Sequence, residues 1–534
     1  MRTALIKILG IIAISPLLLC IVVYCFVRGL GDECLIGDLA IVEIFTRHAM
    51  RFALTVGQYS VFGWNHPGPS CFYALAVPYF LSGGKASSLY LGALTLNALS
   101  AASVVAMATR VYRRGEPHVA IWSTVFLGAF ICLLGVDILA SPWNPWIIVV
   151  PYAALLFLCA GLCLGWLDLL PLVCLMGSFV VQTHVAALPS VGATIAVCLV
   201  FCAGTRRSKH GDIAETCGRG RLWVLLSALV LIVCWLPPLM EQMLHKPGNL
   251  TKLATFFASN ANAQPIPVVL DAVMGRVSMV SRGIIEAILL PFALPLTPFE
   301  EMAIPVVQLC LLLCTWWVSR KRGMPYAAAL CLVACVALLS GTWSLFHVQG
   351  RIWGYFTQWM AAIGVVNLGV VVGVFFEYLS RRHKSTLSQS RHSSDRLSSA
   401  LALTVLILMT VWHIKPFVTP GLLPPHDNLV ARSLANSLTD YVKGHDNGKI
   451  LIELPPTSKW FDEIVLVNQL YKAGLPFAVE PARWPLMFDG SFARDGSEKM
   501  RLIVAARELP PSPGAVCVAS QDSVALYLTD VTNE

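Results

Sequence analysis

Long apolar runs alternate with short basic connections through most of this chain. The first run, at 8–27, follows Arg2 and Lys7 and is about the length needed to cross ~30 Å of hydrocarbon. It is longer than the apolar core of a cleaved signal peptide and lacks a small-residue cleavage site, so it reads as a retained first helix. Further spans are expected at 89–109, 119–139, 146–164, 169–181, 187–203, 222–239, 304–318, 324–339, 355–376 and 397–412. The pattern predicts an all-α polytopic membrane protein of about eleven transmembrane helices.

Basic residues gather on every second connection: Arg110, Arg113 and Arg114; Arg206, Arg207, Lys209, Arg219 and Arg221; Arg320, Lys321 and Arg322; Arg381, Arg382, Lys384, Arg391 and Arg396. With Arg2 and Lys7, this alternation follows the positive-inside rule and places the N-terminus in the cytoplasm and the C-terminal tail outside. The count holds only if the apolar stretch 68–82 does not cross. That stretch is short and contains Pro69 and Pro78, so it is expected as an interfacial or re-entrant helix. The stretch 284–298, interrupted by Pro291, Pro295 and Pro298, is read the same way.

The resulting plan has a transmembrane module at 1–414, with long outer loops at 28–86 and 240–302, and a small extracytoplasmic α/β domain at 415–534. In the tail the periodicity predicts helices at 429–442 and 461–471 and strands at 449–453, 502–506, 516–519 and 524–528. The tail carries no nucleotide-binding glycine loop, no Ser/His/Asp signature and no metal-ligand spacing. Residues 385–399, rich in serine and arginine, read as a polar cytoplasmic linker.

Composition agrees with this plan. Hydrophobic residues make up 57% and charged residues 13%, and the mean hydropathy of +0.70 lies far outside the soluble range. The net charge of +8 sits mostly in loops between spans, so it reports orientation and not a nucleic-acid partner. Most of the 17 cysteines fall inside apolar runs, where cysteine acts as a small hydrophobe.

The first outer loop holds the candidate chemistry. Asp32 and Glu33 precede Asp38, and a helical pattern runs from Asp38 to Arg51, with Glu43, Arg47 and Arg51 on one face. The positive end of that helix's dipole favours a negative charge at Asp38. Asp38 is either a helix cap, with Glu43 and Arg47 a surface pair, or a functional carboxylate. The next segment, GQYSVFGWNHPGPSCFY from Gly57 to Tyr73, is more aromatic and proline-rich than an ordinary connection. Asn249, Leu250 and Thr251 form an N-glycosylation sequon, relevant only in a eukaryotic secretory compartment.

These features resemble the extracytoplasmic C-type (GT-C) glycosyltransferases that use polyprenyl-phosphate-linked sugars, in particular the branch of protein O-mannosyltransferases and lipid A aminoarabinose transferases. The resemblance covers about the first 200 residues and the overall plan. EIFTRHAM, from Glu43 to Met50, looks like the surface helix after the family's acidic motif, and Asn65, His66 and Pro67 look like its proline-containing stretch. The resemblance implies that Asp38 is the catalytic carboxylate, facing the acceptor, with Glu43, His66, Asn144 and His184 lining the acceptor or donor cleft. Arg351, at the outer edge of two spans beside His347, Gln349, Trp353 and Tyr355, is the candidate for the carrier phosphate, with Arg276 and Arg282 as weaker alternatives.

Two departures qualify the match. Asp38 stands without an adjacent acidic partner, and Asn144 in SPWNPW occupies the place of a second carboxylate. No cofactor is assigned; a divalent metal ion is the one candidate, and the missing carboxylate speaks against it.

The implied function is transfer of a sugar from a polyprenyl-phosphate donor to a glycan, lipid or protein acceptor at the outer face of the plasma (inner) membrane, with membrane lipids as the surrounding partners. The alternative is a transporter or flippase of a lipid-linked or polar solute. The absence of a visible internal repeat and of charges at span centres weighs against it.

The topology is testable by reporter fusions along the chain. The N-terminus and the loops at Arg113, Arg207, Lys321 and Lys384 should report the cytoplasm and Glu534 the outside; Lys321 and Glu534 on the same side would overturn the span count.

Overall fold

The computed structural model describes the chain except at residues 1, 208–212, 260–263, 290–297, 383–387, 420–428, 446–447, 455–459, 482–491, 507–513, 523 and 532–534. The helices in chain order are α1 Arg2–Val22, α2 Gly37–Met50, α3 Ser70–Leu81, α4 Ser87–Arg113, α5 Pro117–Ala140, α6 Asn144–Ile147 and α7 Val149–Cys163. They continue with α8 Leu170–Thr183, α9 Leu188–Arg207, α10 Ile213–Leu244, α11 Asn249–Ser259, α12 Ile266–Val277, α13 Met279–Leu289 and α14 Pro298–Lys321. The last are α15 Pro325–Phe346, α16 Gly354–Thr357, α17 Ala361–Arg382, α18 Ser388–His413, α19 Lys415–Val418, α20 Leu429–Gly444 and α21 Trp460–Lys472.

Among the described residues, ten helical stretches are long and apolar enough to cross a membrane. The eleventh expected span, 169–181, lies in the shorter apolar stretch Leu167–Thr183, at the lower limit of a crossing length. The expected interfacial segment 68–82 is the 12-residue helix α3, with Pro78 inside it. Of the segment 284–298, the part at 290–297 lies outside the described residues, and its start belongs to α13. The expected linker 385–399 is helical from Ser388 onward and runs into the last span. It contains neither glycine nor proline, so nothing in its sequence stops the helix.

Contacts divide the chain into two compact units: one of residues 1–29, 93–240 and 254–423, the other of residues 30–92, 241–253 and 424–534. In the first, α5 packs against α1, α17 and α18, while α7 packs against α9, α15 and α17. Close approach of α5 and α17 depends on Gly369 and Gly373. A methyl group at Gly373 would stand 2.6 Å from the Val119 Cα, and one at Gly369 3.0 Å from the Ser123 Cα. The spacing of four is the small-residue pattern by which membrane helices bring their backbones together.

One end of this bundle is tied by charge. Glu116, just before α5, accepts hydrogen bonds from the Tyr326 and Ala327 backbone N–H groups, at 2.8 and 2.9 Å, and so satisfies the start of α15. Arg381 near the end of α17 donates to the Gly115 and Arg322 carbonyls at 3.0 and 2.8 Å and pairs with Glu377 at 2.9 Å. Glu377 in turn accepts the His118 N–H at 3.2 Å. Three chain connections thus meet at a few buried or half-buried charges.

The second unit contains a five-stranded sheet of β1 Lys449–Leu454, β2 Phe477–Pro481, β3 Glu498–Ala506, β4 Val516–Gln521 and β5 Val524–Asp530, in the order β2-β1-β3-β5-β4. The pairs β1–β2 and β1–β3 are parallel, whereas β3–β5 and β4–β5 are antiparallel. Strand β1, flanked on both sides by parallel neighbours, buries the continuous run Ile450, Leu451 and Ile452, as expected of a parallel strand covered on both faces. Strand β2 has no counterpart in the sequence expectation, because FAVEP is short and ends in proline.

The α5–α17 contact predicts opposite outcomes for two glycines. Gly373→Ala should destabilise the bundle by about 1–3 kcal/mol through overpacking. Gly192→Ala on α9, where a methyl group meets nothing within 4 Å, should be neutral or stabilising by up to about 1 kcal/mol. Thermal unfolding of detergent-purified protein distinguishes them, and equal behaviour of the two variants would refute the close approach.

Candidate functional site

Helix α2 begins at Gly37, whose φ of +54° suits a glycine, and its N-cap position is Ile36, which has no side-chain acceptor. Asp38 therefore stands in the first turn of the helix. Its Oδ1 accepts a hydrogen bond from the Tyr59 hydroxyl at 2.7 Å, and the residue remains partly exposed. The carboxylate is held by a side chain from the next segment of the loop, which the sequence expectation did not single out.

Tyr59 is itself fixed by a narrow hairpin. Gly57 N–H donates to the His66 carbonyl at 3.0 Å, His66 N–H to the Gln58 carbonyl at 2.8 Å, and Ser60 N–H to the Trp64 carbonyl at 2.8 Å. Gly57 is required here: a Cβ on it would lie 2.7 Å from the Gly68 carbonyl oxygen and 2.8 Å from that of His66. Asn249 braces the outer side as a strand would. Its Oδ1 accepts from the Asn65 N–H at 2.8 Å and its amide donates to the Asn65 carbonyl at 2.9 Å, while its own N–H donates to Glu241 at 2.7 Å. Asn249 is buried, so in the folded chain this sequon is occupied by structure. His66 is buried too, its ring edge-on to Trp64 at 5.6 Å.

Five residues after Asp38, Glu43 is fully buried and faces the C-terminal part of the same unit. Its Oε1 receives the Lys472 ammonium at 2.9 Å and the Tyr79 hydroxyl at 2.8 Å, and its Oε2 receives the Asn468 amide at 2.6 Å. Lys472 also pairs with Asp32, and the Arg432 guanidinium donates to the Asp32 carbonyl at 2.7 Å. Burial lowers the Lys472 pKa, but the Glu43 and Asp32 carboxylates outweigh it and hold the ammonium above the usual lysine range. Burial, with Glu43 beside it, pushes the Tyr79 hydroxyl above its ordinary range, so it remains a donor. Arg47 and Arg51 lie over the Tyr471 ring at 5.1 and 5.5 Å. Neither the alternative of a surface pair of Glu43 and Arg47 nor an open cleft position describes Glu43, which forms a buried junction between α2 and α21.

In the first unit, Asn144 and His184 are brought together. The Asn144 amide donates to the Thr183 carbonyl at 3.3 Å, and His184 follows directly as the buried corner after α8. The His184 ring stacks on Phe356 at 6.3 Å; Tyr355 then lies against Phe356 at 4.5 Å and against Trp143 at 4.9 Å. Trp353 stacks on Tyr355 at 6.5 Å, and the exposed Arg351 guanidinium lies over Trp353 at 4.4 Å. Asn144, His184 and Arg351 therefore share one aromatic cluster around α16. Arg276 fixes that turn, donating to the Gly354 carbonyl at 3.0 Å and the Thr357 hydroxyl at 3.1 Å, and burial lowers its pKa. Arg282 pairs with Glu286 at 4.0 Å.

Among the described residues, no three His, Cys, Asp or Glu side chains are grouped so as to hold a metal ion. Tyr59, Lys472, Asn468 and Asn249 escaped the sequence reading for one reason. Each acts on a residue distant in the chain, and neither the sequon at Asn249 nor the aromatic segment around Tyr59 indicates that partner.

No family model and no curated protein matches the chain. Among solved structures, it is similar to the apo-state crystal structure of ArnT from Cupriavidus metallidurans, at 12% sequence identity and a TM-score of 0.47, over 94% of this chain and 95% of that one.

Proposed function

We infer that this chain is a membrane glycosyltransferase that moves a sugar from a polyprenyl-phosphate-linked donor to an acceptor at the outer face of the plasma membrane. The observation that carries the reading is the unequal fate of the two carboxylates on α2. Glu43 is sealed by Lys472, Tyr79 and Asn468, whereas Asp38 stays partly exposed in the first helical turn, oriented by Tyr59. A loop this elaborate around a partly exposed, hydroxyl-oriented carboxylate fits a general base better than a surface charge.

The reaction assigned is a single inverting displacement. Asp38 accepts the proton of the acceptor hydroxyl, the acceptor oxygen forms a bond to the anomeric carbon, and the bond from that carbon to the phosphate oxygen breaks. The electron pair leaves with the phosphate, whose charge needs a cation and no general acid. Arg351 is assigned to that phosphate: it is exposed, rests on Trp353 and, among the described residues, is not held by a carboxylate as Arg282 is or by a backbone turn as Arg276 is. Asn144 and His184, in the same aromatic cluster as Arg351, are assigned to sugar or carrier contacts, and His66 to shaping the loop that holds Tyr59. Glu43 becomes a positioning residue that fixes α2.

Asp38→Asn should lower transfer by roughly 10²- to 10⁴-fold, the usual contribution of a general base. Loss of a charge from the first helical turn should cost at most about 1 kcal/mol of stability. Tyr59→Phe, which frees the carboxylate to rotate, should lower transfer by roughly tenfold, as expected for a hydrogen bond to a charged group. The measurement is release of polyprenyl phosphate from a panel of polyprenyl-phosphate sugars by proteoliposomes. A normally folded Asp38→Asn protein with full activity would end the assignment.

A further inference from the structure

The first unit also contains a crevice of about 500 Å³ where the ends of α7, α9, α14 and α15 meet. Its walls are largely apolar and include Phe201, Trp316, Ala328 and Leu332, and its rim carries Ser319 and Arg320. Among the described residues, no acidic side chain lines it. The crevice lies at the end of α14 that bears Arg320, Lys321 and Arg322, the end that the distribution of basic residues assigns to the cytoplasm.

Two features distinguish it from a packing defect. Ser319 is 1% exposed, and its hydroxyl has no hydrogen-bond partner among the described residues, although a helical serine can bond back to the carbonyl four residues before it. A buried hydroxyl left this way costs about 1–3 kcal/mol unless something supplies the acceptor. Beside it, Arg320 is exposed and rests near the Trp316 ring, 6.0 Å from its centroid. One donor and one cation beside an apolar crevice, with no acidic side chain among the described lining residues, fit a phosphodiester whose hydrocarbon continues inward. A volume of this size is in the range of ligand sites, and basic pockets between membrane helices on the cytoplasmic side suit anionic lipid headgroups.

We propose that this crevice binds an anionic glycerophospholipid, with the phosphodiester on Arg320 and the Ser319 hydroxyl and one acyl chain along Phe201, Trp316 and Leu332. Glycine at position 323, with φ of +63°, closes the turn after α14 and lines the crevice between α14 and α15. Lys321, next in sequence, lies over Trp317 at 4.1 Å and is not part of the lining, so it provides a charge-matched control.

The test uses full-length protein in neutral detergent, followed by thermal unfolding and by native mass spectrometry on addition of phosphatidylglycerol, phosphatidylcholine or inorganic phosphate. Phosphatidylglycerol should raise the unfolding temperature and remain bound, while phosphatidylcholine and inorganic phosphate should do neither. Arg320→Gln should raise the half-saturating phosphatidylglycerol concentration roughly five- to tenfold, in keeping with one cation at a lipid headgroup. Lys321→Gln should leave it unchanged. Ser319→Ala keeps the fold testable if Arg320→Gln does not insert: it should raise the unfolding temperature of lipid-free protein and shrink the phosphatidylglycerol-induced shift. Equal effects of the two phospholipids, an equal loss in Lys321→Gln and Arg320→Gln, or an effect of inorganic phosphate matching that of phosphatidylglycerol would each overturn the proposal.

Discussion

Hydrocarbon offers no partner to a charge or a bare backbone group, and this constraint orders the whole first unit. Helices satisfy their own backbones along their length, so charged groups gather near their ends. At one end, Glu116, Glu377 and Arg381 occupy the loose N–H and carbonyl groups of neighbouring helices. At the other ends of α15 and α17, the neutral aromatic cluster of Trp143, Trp353, Tyr355 and Phe356 gathers Asn144, His184 and Arg351. The charged end fixes how the helices meet; the aromatic end presents stacked rings with few charges.

The second unit resolves a different problem with the same economy. A single amphipathic helix carries two carboxylates, and their surroundings separate them. Glu43 loses all contact with solvent and is compensated by an ammonium, a phenol and an amide. Removing one partner from a buried pair of this kind typically costs about 3–5 kcal/mol. Asp38 keeps part of its exposure and meets a neutral hydroxyl. The rigid anchor at one position lets the other be accessible without being mobile.

The spans were legible because a crossing helix needs about twenty consecutive apolar residues and leaves basic residues at its ends, both of which are local patterns. The tail helices and four of its strands were legible through their periodicity. Strand β2 was not, since five residues ending at Pro481 carry little pattern, and neither was the Gly369/Gly373 contact, whose meaning depends on what lies opposite. At the candidate site, the sequence located Asp38 and the unusual 57–73 segment. It offered two roles for Asp38, and the cap position belongs to Ile36. Glu43 had the opposite outcome: its helical face was read as open, because nothing local announces that Lys472 and Asn468 will cover it.

Glu43 and Asn468 lie 425 positions apart, and Asn65 and Asn249 lie 184 apart. At synthesis rates of roughly 5–20 residues per second, the first pair becomes available only about 20–85 s after Glu43 has been made. The first long loop is therefore among the earliest parts of the chain to be synthesised and among the last to acquire its final surroundings. Until α21 arrives, Glu43 remains hydrated and α2 lacks the contact that fixes its face. A chain cut before that helix would thus show its defect at the opposite end of the sequence, in the loop that carries Asp38.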